Sequence, residues 1–242
     1  MTHSDLAALR GEPSYVWRAG QERRLGMIAT WAKLEHAKVL DCVAGVGMYA
    51  SQISRRYNIQ VELFDIELER MLDAKTEAPH ATVADAEHMP YPANYFDTLI
   101  SNEVLEHVGD DRAAAADMVR VLKPGGRAVI FVPNRWYPFE THGHYRNGEY
   151  HFGNTPLINY LPDRWRDQLA PHVRAYTRKG LLRLFGGLPV TIAHHERIYG
   201  GYDNLIARLG KPMQVIRDVL YKFEDTPLDT WGLSHLLVIE KQ

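Results

Sequence analysis

Short apolar runs alternate with helical patterns along the first 133 residues of the chain. In the helical patterns, apolar residues recur every three or four positions. Strands that alternate with helices in this way predict parallel βαβ units with right-handed crossovers. The predicted strands are 39–41, 60–64, 81–84, 96–101 and 127–132. The predicted helices are 17–36, the stretch opening at Met48, 68–75 and 111–122.

The pattern changes at Asn134. Residues 134–176 are dense in aromatic, histidine, arginine and proline residues, and a connection of this length within a compact domain is usually functional. Helical spacing returns at 177–185 and a strand is predicted at 189–195. A second insertion, 198–227, holds an amphipathic helix near 213–223, and the last strand is 233–240. A late pair of strands after an insertion predicts an antiparallel hairpin at the edge of the sheet.

Composition narrows the class of protein further. The chain has 242 residues, of which 45% are hydrophobic, and a net charge of −2. Nothing in this balance favours nucleic acid or an anionic membrane as partner. The single cysteine excludes a disulfide scaffold. No apolar run reaches the roughly 18 residues of a membrane span, and the polar residues 1–13 lack a signal-peptide core. We therefore expect a soluble, cytoplasmic protein.

A small-residue turn, Ala44-Gly45-Val46-Gly47, follows the first predicted strand and opens a helix. Strand, glycine-rich turn and helix form the usual loop for a nucleotide cofactor, because glycine lets the backbone approach the ligand closely and the helix start offers free N–H groups. Asp65 stands 20 residues after Gly45, where an acidic residue accepts hydrogen bonds from a ribose diol. A tight turn without any ligand would show the same local pattern.

Several motifs together resemble a class I S-adenosylmethionine-dependent methyltransferase. They are VLDxxAGVG, LFD, VADAEHMPYPANYFDTLISNEVLEH and RVLKPGGRAVIFVPN, within about 38–133. The resemblance implies a single Rossmann-like α/β domain over 1–242. Its seven-stranded, mostly parallel sheet would have helices on both faces and an antiparallel edge strand, with an aromatic and His-rich insertion after strand five. Residues 14–36 would form a helix over the cofactor site, 38–133 the cofactor-binding core, and 134–176 and 198–227 insertions on the substrate side.

The resemblance also implies the cofactor, S-adenosylmethionine, and the residues that bind it. An arginine of the first helix would meet a ligand carboxylate, and Asn102 would border the methionine end. Asp65 would hold the ribose, Ile66 would pack on the adenine, and Asp85 would take the adenine amino group. The full set is Arg18, Asp41, Ala44, Gly45, Gly47, Asp65, Ile66, Asp85, Ala86 and Asn102. The chain departs from the family at Val43, where a glycine is usual, and this puts high cofactor affinity in doubt.

The stretch Glu103-Val-Leu-Glu106-His107 is the candidate catalytic apparatus. On a helical turn the spacings i,i+3 and i,i+4 would place all three polar side chains on one face. Two carboxylates and an imidazole suit Mg²⁺ or another divalent metal. The turn resembles that of ubiquinone-pathway O-methyltransferases and small-RNA 2′-O-methyltransferases, and His142 and His144 stand where the latter supply a further histidine. The alternatives are His107 as a metal-free base, with Glu106 beside it, and a purely structural turn.

Three functions stay open at this point. The first is O-methylation of a small-molecule or glycan hydroxyl, with metal assistance as an option. The second is RNA 2′-O-methylation, which the net charge of −2 disfavours. The third is a cofactor-binding subunit without catalysis, which only Val43 supports. The aromatic residues of 134–176 would either line an acceptor pocket or form the core of the insertion. The arginines of 164–183 would form a solvated face or a patch for an acidic group, and the sequence does not indicate an oligomeric state.

Overall fold

A seven-stranded sheet forms the centre of the protein in a computed structural model that describes residues 16–75 and 80–242. The strands in these residues are β1 (Val39–Cys42), β2 (Val61–Asp65), β3 (Ala81–Val83), β4 (Phe96–Asn102), β5 (Leu122–Pro133), β6 (Phe139–Glu140), β7 (His144–Arg146), β8 (Glu149–His151), β9 (Thr155–Pro156), β10 (Val190–Ile198) and β11 (Ser234–Lys241). The central sheet has the order β10-β11-β5-β4-β1-β2-β3.

All neighbouring strands from β5 to β3 are parallel, as the alternation of strands and helices predicts. The predicted late pair is also confirmed, because β10 and β11 are antiparallel to each other. Strand β11 lies between β10 and β5 and is antiparallel to both. The outermost strand, β10, therefore runs in the same direction as β5.

Eight α-helices are found in the described residues: α1 (Ala19–Trp31), α2 (Met48–Tyr57), α3 (Leu68–Ala74), α4 (Asp111–Val121), α5 (Asp163–Leu169), α6 (Arg178–Leu184), α7 (Asp203–Leu209) and α8 (Lys211–Tyr221). Helices α1, α2 and α3 pack on one face of the sheet through side chains such as Ile28, Ile53 and Met71. Helices α4 and α6 pack on the other face through Met118 and Leu181. Each such buried side chain contributes about 1.5–3 kcal/mol to folding.

Residues 123–126 lie between the predicted helix 111–122 and the predicted strand 127–132, and in the structure they belong to β5. Phe96 pairs with Leu122 and Thr98 with Arg127, so the extra residues form a bulge inside the strand. A Cβ on Gly126 would lie 2.9 Å from the Lys123 carbonyl oxygen and 3.1 Å from that of Asp97. The glycine therefore lets the bulge sit against its neighbouring strand.

The two insertions have their own secondary structure. The first contains two small hairpin-like sheets, β6 with β9 and β7 with β8, followed by a 3-10 turn and α5. The second contains α7 and α8, and α8 is the predicted amphipathic helix, displaced by two residues at each end. Within 16–75 and 80–242, every helix falls short of the length or apolarity that a membrane crossing requires. The predicted polar lead at 1–13 and the helix stop at Pro79 lie outside the described residues.

Candidate functional site

The carboxyl ends of the parallel strands lie at one edge of the sheet, and the glycine-rich turn leaves β1 there. Gly47 begins α2 with a φ of +74°, and Gly45 has a φ of +56°. The Gly45 N–H donates to the Asp65 carboxylate at 3.0 Å, which joins the turn after β1 to the end of β2. Asp41 is buried and accepts from the Ala50 N–H at 3.1 Å. Burial raises the pKa of Asp41 to about 7.

Val43 has a φ of +53°, in the left-handed region that favours glycine. A β-branched residue is strained there by roughly 1–2 kcal/mol. Glycine is usual at this position in the family that the sequence resembles, and it would adopt this backbone conformation without strain. Valine adopts the same conformation in this chain. Its side chain is half-buried, packs against the core and lines a cavity.

That cavity has a volume of about 290 Å³ and brings the predicted nucleotide residues together with the Glu103–His107 turn. Its walls include Val43, Asp65, Ile66, Asp85, Ala86, Glu103 and His107. The Ile66 side chain is 47% exposed, which is unusual for an isoleucine and leaves an apolar surface for a flat ring. The arrangement suits a ligand with an adenine-like part at Ile66 and a reactive part at His107.

The Asp65 carboxylate is fully buried and accepts N–H groups from Gly45 and Glu67, each at 3.0 Å. Two bonds leave about half of the carboxylate's acceptor capacity for ligand hydroxyls. Asp85 is exposed at the end of β3 and accepts from the Glu87 N–H at 2.9 Å. Both residues thus occupy the positions expected for a cofactor site, and both also hold a turn.

The turn after β4 is not the helical turn that the sequence suggested. Glu103 has a φ of +57° and its N–H still bonds to the Phe131 carbonyl of β5. The tight turn begins only at Val104, whose carbonyl accepts from the His107 N–H at 2.9 Å. Helical i,i+3 spacing from Glu103 therefore does not apply, and Glu103 points toward α1.

Arg24 of α1 holds the Glu103 side chain in this orientation through hydrogen bonds. Its guanidinium donates to Asn102 Oδ1 at 2.6 Å, to Glu103 Oε1 at 2.7 Å and to Ser234 Oγ at 2.9 Å. Burial opposes the charge on Glu103, but Arg24 outweighs it and holds the pKa of that carboxyl at about 2. Arg24 thus fixes the end of β4 and keeps Glu103 ionised.

Glu106, His107 and His142 form a cluster in which the potential ligand atoms all lie within 4.8 Å of one another. His107 Nε2 is 3.9 Å from Glu106 Oε1. Among the described residues, neither Glu106 oxygen nor His107 Nδ1 has a hydrogen-bond partner, although all three atoms are buried. Burial and the nearby Glu103 carboxylate raise the pKa of Glu106, and burial lowers the pKa of His107 to about 4. The cluster therefore holds buried polar atoms that a cation or a polar ligand would satisfy.

His142 is held in place by a buried ion pair. Glu140 accepts from the His142 backbone N–H at 3.0 Å and lies 3.1 Å from His142 Nδ1. Its other oxygen accepts from Arg166 at 2.9 Å, and both Glu140 and Arg166 are almost completely buried. A carboxylate on one ring nitrogen leaves the other available as a ligand atom, as in carboxylate–histidine–metal arrangements.

The structure does not bring every predicted residue to this cluster. His144 Nδ1 lies 2.9 Å from the Thr155 hydroxyl and its ring stacks on His151, apart from His142. Arg18 donates to Asn204 and lines a second cavity of about 280 Å³ with Arg24 and Asn102. The position of His144 depends on the pairing of β7 with β8 inside the insertion. Sequence spacing alone therefore did not predict that His144 lies away from the cluster.

The aromatic residues of the first insertion divide between the two sides of strand β6. Tyr137 and Phe139 line an apolar cavity of about 650 Å³, while the rings of Tyr145 and Tyr150 pack edge-on against His172. Alternate residues of a strand face opposite sides, so Phe139 faces this cavity and its neighbour Glu140 faces His142. The remaining cavity walls come largely from the second insertion and the turn before β11, including Tyr199, Tyr202, Leu205, Met213, Leu220, Phe223, Leu228 and Trp231.

Sequence reasoning missed Glu140 and His172 in this neighbourhood, and it named Arg166 only as one of the arginines of 164–183. Glu140 and Arg166 are separated by 26 positions and meet only in the folded insertion. His172 lies with its Nε2 3.2 Å from the His142 carbonyl. The arginine-rich segment offered one signal, but it was ambiguous, and Arg174 also turns out to be structural because it donates to the Gly109 carbonyl at 2.7 Å.

The sheet order, the glycine-rich turn and the acidic ends of β2 and β3 define a Rossmann-like nucleotide-cofactor fold. A family model described as "Methyltransferase domain" matches residues 40–130. This match over residues 40–130, together with the sheet order and the motifs, supports a class I S-adenosylmethionine-dependent methyltransferase.

Two bacterial C-methyltransferases are similar to the chain over part of its length. The ubiquinone/menaquinone biosynthesis C-methyltransferase UbiE of Cupriavidus pinatubonensis is 36% identical over 113 residues, and that of Ralstonia pickettii is 33% identical. In both cases the match covers 43% of this chain and 46% of the relative. The chain thus matches less than half the length of these relatives.

Solved structures share the fold over almost the whole chain. An S-adenosylmethionine-dependent methyltransferase from Mesorhizobium loti has a TM-score of 0.65 at 17% identity and covers 92% of this chain and 98% of its own. Geranyl diphosphate C-methyltransferase from Streptomyces coelicolor, solved with Mg²⁺, geranyl diphosphate and S-adenosyl-L-homocysteine, has a TM-score of 0.61 at 16% identity and covers 98% and 86%. The [4+2]-cyclase SpnF, with a TM-score of 0.61 at 18% identity, covers 93% and 83%. At these identities the likeness concerns the fold.

Proposed function

We propose that this protein transfers the methyl group of S-adenosylmethionine to a hydroxyl of a small, largely apolar acceptor, with a divalent metal held by Glu106, His107 and His142. The observation that carries the proposal is the 290 Å³ cavity, which has Asp65, Ile66 and Asp85 on its walls together with Glu103 and His107. A methyl donor bound along Asp65, Ile66 and Asp85 would place its reactive methyl group near the turn that carries Glu103 and His107.

The residues of the cavity fit the cofactor. Asp65 keeps acceptor capacity for the ribose hydroxyls, Ile66 offers an exposed apolar side chain to the adenine, and Asp85 is exposed beside them. Arg24 neutralises Glu103 at the methionine end and fixes Asn102. When bound, S-adenosylmethionine supplies a methyl group on a sulfonium sulfur, which leaves as a neutral thioether.

The Glu106, His107 and His142 cluster fits a divalent metal. It contains one carboxylate and two imidazoles, of which Glu106 Oε1, Glu106 Oε2 and His107 Nδ1 are buried atoms with no hydrogen-bond partner among the described residues. The low pKa of His107, about 4, keeps its imidazole neutral at pH 7 and able to donate a lone pair. A bound metal would lower the pKa of a coordinated hydroxyl.

The acceptor class follows from the large cavity. Its volume of about 650 Å³ lies within the range of small-molecule pockets, and its walls are mainly aromatic and aliphatic. Tyr199 lines both this cavity and the polar one that contains Asn102 and Arg24, so the two spaces adjoin. An acceptor with an apolar body and a hydroxyl at one end would suit this arrangement.

Methylation of carbon is the second candidate, and the names of the relatives favour it. The relatives called UbiE are C-methyltransferases, and they are similar to this chain over 113 residues. A phenolic oxygen and the ring carbon beside it need the same neighbouring base or cation, because both become nucleophilic when the hydroxyl loses its proton. Product analysis distinguishes them, since an ether methyl and a ring methyl have different NMR shifts.

The test begins with calorimetric titration of S-adenosyl-L-homocysteine. We expect Asp65→Asn to weaken binding at least tenfold, whereas Glu106→Gln and His107→Gln leave it nearly unchanged. Hydroxylated aromatic compounds with and without alkyl tails are then screened for methyl transfer. With an accepted compound, the two turn variants are expected to lose activity about 10²–10⁴-fold, as for loss of acid–base or metal assistance. Cofactor binding that falls in all three variants would show the turn to be structural.

Metal analysis tests the remaining part of the proposal. The purified protein should hold a divalent metal that Glu106→Gln and His107→Gln release, and a chelator should abolish turnover while added Mg²⁺ or Mn²⁺ restores it. Full activity in chelator would refute metal assistance and leave His107 as the base. Tight cofactor binding with no methyl transfer to any acceptor would instead favour a binding subunit.

A further inference from the structure

A second cluster of metal-ligand residues lies at the edge of the sheet, away from the cofactor cavity. It consists of His194 and Glu196 on β10 and of Asp225, which follows α8, and one potential ligand atom from each lies within 4.8 Å of the other two. Strand β10 is separated from β4, the strand that precedes Glu106, by β11 and β5. The two clusters are therefore independent of each other.

His194 is held in a defined orientation. Its ring stacks on Trp31 at the end of α1, with centroids 4.0 Å apart and planes inclined by 16°. His194 Nε2 is buried and, among the described residues, has no hydrogen-bond partner. This atom faces Glu196 Oε1 at 3.4 Å, too long and poorly aligned for an ordinary hydrogen bond.

The distance of 3.4 Å between His194 Nε2 and Glu196 Oε1 matches the separation of two ligand atoms on one metal ion. Zinc bonds of about 2.0–2.1 Å to nitrogen and oxygen in tetrahedral geometry place two ligands about 3.4 Å apart. His194 and Glu196 already have this separation, and they lie one residue apart on the same face of an extended strand. Asp225, which is exposed, has a potential ligand atom within 4.8 Å of both and would complete three protein ligands.

The surroundings carry an excess of negative charge. Glu224 lies beside Asp225 and Glu196, and it is already occupied by Arg23 and by the Tyr199 N–H at 2.7 Å. A divalent cation would relieve the repulsion between the carboxylates of Glu196 and Asp225.

We propose that His194, Glu196 and Asp225 bind a divalent transition-metal ion of the Zn²⁺ type as a structural site. An imidazole with two carboxylates favours zinc over Mg²⁺, which prefers oxygen ligands and retains its water. The ion ties the edge strand β10 to the segment that ends α8. Since Leu220 and Phe223 on that segment line the 650 Å³ cavity, zinc would hold one wall of the cavity in place.

The test measures zinc stoichiometry in the full chain after equilibrium dialysis against Zn²⁺. The background is a variant, Glu106→Gln/His107→Gln, that lacks the cluster in the cofactor cavity. We expect this variant to bind one zinc ion per chain, and the addition of His194→Ala or Glu196→Gln to abolish that binding. Because the background lacks the first cluster, the result is independent of the proposed methyl transfer.

Two further measurements test whether a loss of zinc binding results from unfolding of the variant, and whether zinc binds elsewhere on the surface. Zinc should raise the melting temperature of the Glu106→Gln/His107→Gln background and leave that of the same background with His194→Ala unchanged, while circular dichroism shows that the variant is folded. Zinc should also change tryptophan fluorescence, and Trp31→Phe should remove that change without removing the zinc. A stoichiometry that His194→Ala does not lower, in a folded variant, would overturn the proposal.

Discussion

Val43 is the residue at which the cofactor loop differs most from its family, and its backbone explains why glycine is usual there. The φ of +53° costs a valine roughly 1–2 kcal/mol, whereas glycine adopts it freely. The side chain also lines the cavity and packs against the core. Strain and cofactor access therefore both depend on this one position.

We predict that Val43→Gly raises affinity for S-adenosyl-L-homocysteine by up to about tenfold, or about 1.4 kcal/mol. The physical reason is that glycine removes the side chain that narrows the cavity, whereas relief of the backbone strain stabilises the free and the bound protein alike. Isothermal titration measures the change. Val43→Ala is the matched control, because alanine keeps a Cβ in the strained conformation and should gain less. An affinity that falls in Val43→Gly would mean that the valine side chain contacts the cofactor favourably.

Glu140 and Arg166 support a second residue-scale prediction. Both are buried, so removing one charge leaves the other without compensation. We expect Glu140→Gln to reduce the free energy of unfolding by about 3 kcal/mol, as measured by urea denaturation. The double variant Glu140→Gln/Arg166→Met should recover part of the loss. Equal stability of the single variant and the parent would show that water reaches the pair.

At the scale of elements, the join between β1 and α2 depends on close packing against α3. Gly47 has a φ of +74°, and a Cβ there would lie 3.1 Å from Leu63 Cδ1 and 3.3 Å from Ala74 Cβ. Neither neighbour is the flexible end of a long side chain. Glycine at position 47 therefore lets the turn pack closely against β2 and α3.

We predict that Gly47→Ala destabilises the protein by about 1–3 kcal/mol, through positive φ and crowding together. Thermal unfolding in the absence of cofactor gives this number. Gly26→Ala in α1 is the matched control, because nothing lies within 4 Å of a Cβ there and alanine favours helix. The control should be neutral or stabilising, and a similar loss in both would exclude the packing explanation.

At the scale of the whole molecule, buried histidines set the response to acid. His235 is fully buried, with Nε2 2.8 Å from the Tyr176 carbonyl and Nδ1 3.0 Å from His195 Nε2. Burial lowers the pKa of His235 to about 3 and that of His195 to about 4. Both are therefore neutral in the folded protein at pH values where the unfolded chain, with a pKa near 6.5, takes up protons.

His235 and His195 make stability fall as the pH drops from about 6.5 to about 4, because at these two sites the unfolded state then binds more protons. His235 alone accounts for a loss on the order of 3 kcal/mol over this window. His235→Gln keeps an N–H donor for Tyr176 and cannot titrate, so its unfolding free energy should depend less on pH. Asp41, with its pKa raised to about 7, acts in the opposite direction but is present in both proteins. Parallel pH curves would contradict the prediction.

Local patterns were sufficient for the seven strands of the central sheet and for six of the eight described helices, because most of these strands contain a short apolar run and the helices have one apolar face. They did not predict the short strands β6–β9 or the helices α5 and α7 of the insertions. They failed at 103–107 and at 123–126, where backbone conformation depends on a neighbouring strand. Glu103 leaves the helical region because its N–H bonds to Phe131, a partner 28 positions away. No local rule contains that bond.

The sequence by itself determined the Rossmann-like fold and the order of the elements in its central sheet, because these follow from short-range periodicity and from turns at strand ends. It also predicted the cofactor residues from Asp41 to Asp85, of which Asp65 and Asp85 line one cavity. Only the tertiary structure decided which polar side chains meet. It turned Glu103 toward Arg24, placed His142 rather than His144 beside Glu106 and His107, and brought Asp225 to His194 and Glu196. Such meetings depend on how insertions and edge strands pack over long separations, which local sequence patterns do not encode.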